Sequence, residues 1–323
     1  MIKNKKGDMG MKALFTYDYG KEKMDRLRSL GYDILVVKED GLTYSDEIGD
    51  AEIMVCYNPF KTLDIQKMRN LKWIQLSSVG IDQVPIEYIK KQGIILTNNR
   101  GGYGIPIGEW VVLKILELLK QSYSFYRNQQ TKIWKVNTSL LELYGKTVGF
   151  IGTGNIALES AKRLKGFDVR LLGINTSGRT VGDLDECFSL EKIDEVLGRC
   201  DIVVVTIPYT SKTHRLINKD RFKAMKRGSF LINVSRGAIV DEIELINNLK
   251  SGKIGGAALD VFEQEPLCSD SPLWDMDNVI ITPHNSWISE KRNDRRFEII
   301  YENMRRYINN EELKNVIDFK KGY

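Results

Sequence analysis

Histidine is nearly missing from this chain of 323 residues: it has two. That is too few for a His-rich metal site, and no metal ligand is nominated. Cysteine is also scarce. Cys56, Cys187, Cys200 and Cys268 show no CxxC spacing. Four thiols in a chain this long suggest a reducing, cytoplasmic compartment rather than a disulfide framework. Long apolar runs are absent too. Stretches such as "DIVVVTIP" are far too short to span a bilayer, so no membrane role is expected. The net charge of +5 is mild, and lysine and arginine are interspersed with acids. A nucleic-acid-binding stripe is therefore not expected. No repeat and no low-complexity linker stands out. The opening "MIKNKKGDMG" is basic but lacks the apolar stretch of a secretory signal, and reads as a short flexible arm before the first strand.

What is present is ordinary globular composition, 42% hydrophobic and 28% charged, at a length that fits two domains. In the first hundred residues "KALFTYD", "YDILVVK", "AEIMVCY", "LKWIQLS" and "GIILTN" read as short buried strands. Helical stretches such as "YGKEKMDRLRSLG" and "VPIEYIKKQG" lie between them. One long helix is expected from about Pro106, over "PIGEWVVLKILELLKQSYSFY". A second series follows: "KTVGFIG", "DVRLLGIN", "DIVVVTIP", "GSFLINVS", "GGAALDV" and "NVIITPH". A helix over about 290–309 closes the chain. Alternating β and α implies two α/β domains with parallel sheets.

The strongest short signal is Gly152-Thr153-Gly154-Asn155-Ile156-Ala157, a G-x-G-x-x-A turn between an apolar strand and an amphipathic helix. Gly152 permits the tight turn and Gly154 admits a pyrophosphate to the backbone. Ala157 allows close helix–strand packing, and the helix N-terminus offers N–H groups to the phosphates. Gly152, Thr153 and Gly154 are therefore dinucleotide-binding candidates.

Ligands of doubly wound sheets bind beyond the carboxyl ends of the strands. The residues at those ends are Pro208, then Ser235 and Arg236, then Glu263 and Glu265, then His284. A guanidinium, a carboxylate and an imidazole thus converge on the edge that holds the glycine turn. Arg236 can grip a carboxylate and a carbonyl with its planar fork. His284 can exchange a proton near neutral pH. Glu265 can hold the other ring nitrogen, fix the tautomer and favour the protonated ring. Reduction of a 2-keto acid beside a nicotinamide needs those functions. His214, in a polar loop on the same edge, reads as structural.

The strand that runs into "LLGINTSGR" ends on Asn175, without an acid. Asn175 lies 21 positions after Gly154, where an acid would pair with the ribose hydroxyls of NAD and repel a 2′-phosphate. Asn175, Thr176 and Ser177 offer hydrogen bonds there, and Arg179 offers charge. NADP is thus the expected cofactor, with NAD the alternative; an ordinary β-turn serving a relaxed site is the plainer reading.

Five blocks carry a family resemblance: "SSVGID" at 77–82, "YGKTVGFIGTGNIA" at 144–157, "NVSRGAIVDE" at 233–242, "ALDVFEQEPL" at 258–267 and "ITPHNSW" at 281–287. With 29 positions from Arg236 to Glu265 and 19 more to His284, the chain resembles the D-isomer-specific 2-hydroxyacid dehydrogenases over nearly all of residues 11–315. This group includes glyoxylate/hydroxypyruvate reductases and phosphoglycerate dehydrogenases. The resemblance implies two Rossmann-like domains with doubly wound parallel sheets. A cofactor domain, residues 102–286, is inserted into a discontinuous flavodoxin-like substrate domain, residues 1–101 plus 287–323. It implies an NAD(P)-dependent enzyme acting on a small 2-keto or 2-hydroxy acid, and a homodimer formed through the cofactor domain. By motif match, Val79 and Gly80 look like the loop that binds the substrate carboxylate. Asn155 and Ile156 would lie over the pyrophosphate. Ile207, Pro208, Val234, Ser235, Asp260 and His284 resemble positions around the cofactor, with Thr213 a weaker candidate.

Related formate dehydrogenases carry glutamine where Glu265 stands, which argues against formate. No regulatory domain follows, so serine feedback is not expected. Trp287 is balanced between a pocket wall and the core. Trp134 is a candidate for the dimer interface, Tyr103 and Arg100 for the cleft, and "EKRNDRRFEII" at 290–300 for a solvated face. The competing reading is a dinucleotide-sensing, corepressor-like binding protein, since such relatives retain the same triad.

Overall fold

A computed structural model describes residues 10–322. The basic opening expected to form an arm lies, through Met9, outside the described residues. Two compact units account for the chain: one runs to Gly102 and resumes at Glu290, and the other is Tyr103–Ser289.

The first unit is a five-stranded sheet of β1 (Met11–Phe15), β2 (Tyr32–Val36), β3 (Ile53–Cys56), β4 (Trp73–Leu76) and β5 (Ile95–Thr97). Every pairing is parallel, in the order β2-β1-β3-β4-β5, which is the flavodoxin-like order. Helices α1 (Lys21–Arg28), α2 (Asp46–Gly49) and α3 (Ile86–Gln92) connect the strands. All four positions of both β3 and β4 are buried, as expected of parallel strands covered on both faces. Leu14, Met54, Ile74 and Leu96 face one apolar cluster; Ala13, Phe15, Ile53, Val55 and Trp73 face the other. Phe297, Ile300 and Met304, at helical spacing on Arg292–Ile308, complete that second cluster. The closing helix returns to this unit because the sheet face needs its cover. The charged run at 290–300 is therefore not simply a solvated face. Phe297 and Ile300 are core, while Asp294 pairs with Lys23 and Glu298 with Arg26 on α1.

The second unit is a seven-stranded parallel sheet. Its strands are β6 (Thr147–Ile151), β7 (Arg170–Asn175), β8 (Glu186–Ser189), β9 (Ile202–Val205), β10 (Ser229–Asn233), β11 (Ile254–Leu259) and β12 (Val279–Ile281). Their order is β12-β11-β10-β9-β6-β7-β8, so the winding reverses between β6 and β9, where such sheets bind ligands. Helices α4 (Gly104–Lys120) and α6 (Asn155–Leu164) cover one face. The other is covered by α7 (Ile193–Arg199), α8 (Lys219–Ala224) and α9 (Glu242–Lys250). Strand β9 shows the two-residue alternation hidden in an all-apolar run. Ile202 and Val204 join the α4/α6 cluster, and Val203 and Val205 join the opposite one.

Two local expectations change. The long helix breaks at Gln121, which is left-handed (φ 50°) and caps α4 through its N–H on Leu118 O; α5 (Ser122–Gln130) then starts afresh. The apolar stripe that packs α4 ends at Leu119, so nothing buried holds the next turn in line. The edge strand β8, "ECFS", was not expected; its four residues are all half-buried and give no clear period. No helix among the described residues is long and apolar enough to cross a membrane.

Candidate active site

The glycine turn joins β6 to α6. Gly152 has φ 97°, and a Cβ there would lie 2.7 Å from the Ile207 backbone, so only glycine fits between the two strand ends. Its N–H bonds Ile174 O at 2.9 Å and its carbonyl accepts from Thr206 Oγ1 at 2.7 Å. A Cβ on Gly154 would meet nothing within 4 Å. Helix α6 begins there without a side-chain cap and without an acid in its first turn. Unbonded first-turn N–H groups, an open approach and no negative charge fit a pyrophosphate. Ala157 is fully buried against the sheet. The Asn155 side chain is turned towards Gly104 of α4, leaving its main chain, with that of Ile156, at the helix start.

Beyond β7, Asn175 spends its amide on the loop itself. Oδ1 accepts from Ser177 N at 3.0 Å and Gly178 N at 2.7 Å, while Nδ2 donates to Arg179 O at 2.9 Å and Thr153 Oγ1 at 3.2 Å. Asn175 therefore ties this loop to the glycine turn. Thr176, Ser177 and Arg179 are exposed, and the Arg179 guanidinium makes no hydrogen bond or ion pair among the described residues. Across the sheet, Thr213 is buried; its hydroxyl accepts from Thr210 N at 2.7 Å and donates to Pro208 O at 2.9 Å, shaping the loop after β9. His214 is exposed beside Tyr209.

The ends of β10, β11 and β12 carry the triad. Asn233 stabilises the first turn, accepting from Ser235 N at 3.1 Å and donating to Arg236 O at 3.0 Å. Ser235 Oγ donates to Ile207 O, and buried Val234 follows β10 directly. Arg236 Nη1 donates to Ser235 O at 2.8 Å. After β11, Glu265 turns back so that Oε1 accepts from Phe262 N at 3.1 Å and Oε2 meets His284 Nδ1 at 2.8 Å. Burial pushes the Glu265 carboxyl up. The bonds from His284 and Phe262 N, with the charges of His284 and Arg236, outweigh this and hold it below the usual range. Its ionised form is thus the one the site favours. The His284 Nε2 atom makes no hydrogen bond among the described residues.

His284 occupies the left-handed region (φ 51°), which costs a non-glycine residue about 1–2 kcal/mol. Asp260 holds it there. The fully buried Asp260 carboxylate accepts from Thr282 Oγ1 at 2.5 Å, Asn285 N at 2.8 Å and Ser286 N at 3.0 Å. The Asp260 carbonyl accepts from His284 N at 2.8 Å. Trp287 adds a bond from Nε1 to His284 O at 2.8 Å and stacks edge-on against Tyr103. It therefore supports the histidine loop from the core side. Asn233 was missed in the sequence, though it lies inside a block already singled out.

In the first unit, the loop after β4 holds Val79 and Gly80. Their carbonyls are tied back, Val79 O by Asn98 Nδ2 at 2.8 Å and Gly80 O by Ser78 Oγ at 3.0 Å. Gln83 Nε2 bridges Ser78 Oγ and Tyr57 O at 3.1 and 3.0 Å. The Val79 and Gly80 N–H groups make no hydrogen bond among the described residues and suit an anion. Asn98 and Gln83 carry no motif and were not foreseen. Arg100 bonds Asn315 at 3.3 Å. Among the described residues no group of three or more potential metal ligands occurs.

A doubly wound sheet with an uncapped glycine turn and a carboxylate–imidazole pair at its carboxyl edge defines a dinucleotide-dependent oxidoreductase. A family model for the D-isomer specific 2-hydroxyacid dehydrogenase NAD binding domain matches residues 112–286. The chain is 36% identical over 266 residues to a glyoxylate reductase of Thermofilum pendens, covering 80% of this chain and 78% of that one. Among solved structures, a D-isomer specific 2-hydroxyacid dehydrogenase family protein from Aeromonas salmonicida superposes with TM-score 0.82 at 31% identity, over 97% of this chain and all of that one. A D-isomer specific 2-hydroxyacid dehydrogenase from Xanthobacter autotrophicus, in complex with NADPH and MES, gives 0.80 at 27%, again over 97% of this chain and all of that one. The chain belongs to the D-isomer specific 2-hydroxyacid dehydrogenase family. It is an NAD(P)-dependent dehydrogenase of that class.

Proposed function

We propose that the enzyme interconverts a small 2-keto acid and its D-2-hydroxy acid, with His284 as acid/base, Glu265 orienting it and Arg236 binding the keto-carboxylate. The 2.8 Å His284–Glu265 contact carries this reading. Bound reduced nicotinamide would supply the hydride. With Nδ1 held by the carboxylate, His284 presents Nε2 to give a proton to the substrate oxygen and to take it back in reverse. Arg236 offers a planar pair of donors to the carboxylate and carbonyl. The Val79 and Gly80 N–H groups are assigned to the substrate carboxylate.

Residues 102–286 are assigned to the dinucleotide, and 1–101 with 287–323 to the substrate. Gly152, Thr153, Gly154, Asn155 and Ile156 take the pyrophosphate. Ile207, Pro208, Thr213, Val234, Ser235 and Asp260 border the rest of the cofactor. NADP(H) is the preferred form: Thr176, Ser177 and Arg179 meet the 2′-phosphate, and Asn175 holds their loop in place. The absence of an acid on residues 175–180 supports this, as does the NADPH held by the Xanthobacter relative. Trp134, 99% exposed, stands with exposed Ile133, Val136 and Tyr144. We assign that apolar segment to a homodimer interface of the dinucleotide domain, and place the enzyme in the cytoplasm. The corepressor-like alternative is not favoured, because the relatives compared are named as reductases and dehydrogenases.

The test is steady-state oxidation of NADPH and NADH against glyoxylate, hydroxypyruvate, pyruvate and branched 2-keto acids. Turnover with at least one is expected. No turnover with any refutes the reading.

A further inference from the structure

We propose that Glu242, the first residue of α9, is a positioning residue for the acid–base pair, holding the main chain of the turn that carries Glu265. This rests on the roles given above to Glu265 and His284.

Glu242 Oε2 accepts from Glu263 N at 3.2 Å. Next to that bond, Phe262 N donates to Glu265 Oε1 at 3.1 Å, and Glu265 Oε2 reaches His284. Two successive N–H groups of one turn thus point at two carboxylates, one facing the imidazole and one fixed to a helix. Gly237 packs against the same peptide. A Cβ on Gly237 would lie 1.8 Å from the Phe262 carbonyl carbon and 2.3 Å from Glu263 N. The peptide before Glu263 is therefore packed against Gly237 and hydrogen-bonded by Glu242, both on the segment that begins with Arg236. That segment sets the guanidinium and the turn bearing the carboxylate together.

Glu242 is not needed to cap α9. Asp241 already does so, accepting from Glu244 N at 3.1 Å. Nor is its charge well placed for stability. Burial pushes its carboxyl up, and the nearby Glu263 charge adds to this against the Glu263 N–H bond. The other charged groups here are Arg215, bonded to the Glu263 side chain at 2.9 Å and 44% exposed, and Asp241. An acid kept in such a place serves through its oxygen as an acceptor, a task glutamine can also perform.

The experiment compares Glu242→Ala and Glu242→Gln with the unaltered enzyme in keto-acid reduction across pH. Glu242→Met replaces the alanine variant if that one does not fold. Losing the acceptor should lower kcat about tenfold, as an orienting contact does, with the dinucleotide KM changed by less than about twofold. The alkaline limb of kcat/KM should move to lower pH, because a loosened Glu265 no longer keeps its contact with His284 Nδ1. Glu242→Gln should restore both. A variant that loses only melting temperature while kcat and the limb stay put overturns the proposal. So does a glutamine variant as impaired as alanine. Glu265→Gln is the separate control: if the parent enzyme turns over and this change leaves the limb unmoved, the Glu265 role itself fails, whatever Glu242 does.

Discussion

Replacing Arg179 by alanine isolates one charge in the loop after β7. The native loop uses only the main chain of that residue, its carbonyl accepting from Asn175 Nδ2 at 2.9 Å and its N–H donating to Ser177 Oγ at 3.3 Å. Alanine keeps both, so the loop stays formed. The guanidinium has no partner to lose among the described residues. A charge-assisted hydrogen bond contributes about 1.5–3 kcal/mol, and an exposed site lies at the low end because solvent screens it. Arg179→Ala should then raise the KM for NADPH about tenfold. NADH offers a neutral hydroxyl at the same place, so its KM should change by less than about threefold. The assay is initial-rate kinetics with both cofactors at two ionic strengths. Added salt should weaken NADPH binding in the parent enzyme and have little effect in the variant. Equal effects on the two cofactors would refute the argument and leave an ordinary turn serving a relaxed site.

His284→Ala should lower kcat by roughly 10²–10⁴ and leave NADPH affinity, read by fluorescence titration, nearly unchanged. Trp134→Glu should shift the enzyme from dimer towards monomer in sedimentation velocity, and a monomeric parent enzyme would remove the assigned interface. Glu302, on the closing helix, pairs with Arg305 and Arg306 of the same helix and with Lys314 beyond it, and the arginine bonds lower its carboxyl from 4.5 to about 2. A depressed carboxyl contributes stability above its unfolded value that is lost as pH falls through its folded one. The melting temperature of Glu302→Gln should therefore lie below that of the parent at neutral pH, and the gap should close between 4.5 and about 2. A gap that persists at the acid end refutes the sign.

The strands were legible because parallel strands buried on both faces leave unbroken apolar runs, and helices between them leave a different period. The placement of Arg236, Glu265 and His284 was legible because a doubly wound sheet sends the residues after its strands to one edge. What escaped has a common cause. Strand β8 is an edge strand of four half-buried residues, so neither face imposes a pattern. Gln121 breaks the long helix although glutamine is no helix breaker; the break follows from where packing stops, which is a tertiary fact. Asn175 ends β7, as the motif spacing predicts, and its amide is bonded within the loop that follows. Its side chain faces the loop, where Ser177 N and Gly178 N both donate to its Oδ1.

Asp260 shows why roles are harder to read than positions. By motif match it resembles a position around the cofactor, and the motif says nothing of what its side chain holds. In the fold, three donors and the His284 N–H converge on it, and all four come from residues 282–286. A left-handed histidine is disfavoured by about 1–2 kcal/mol, so it keeps that conformation only where neighbouring bonds over-determine it. Asp260 supplies those bonds from a fully buried site, where a carboxylate left unpaired would be costly. Each requirement meets the other: the buried charge needs donors, and the strained loop needs fixed acceptors. Asp260, its donors, His284 and Glu265 all lie within the dinucleotide-binding unit, so the bonds that aim the imidazole are internal to it.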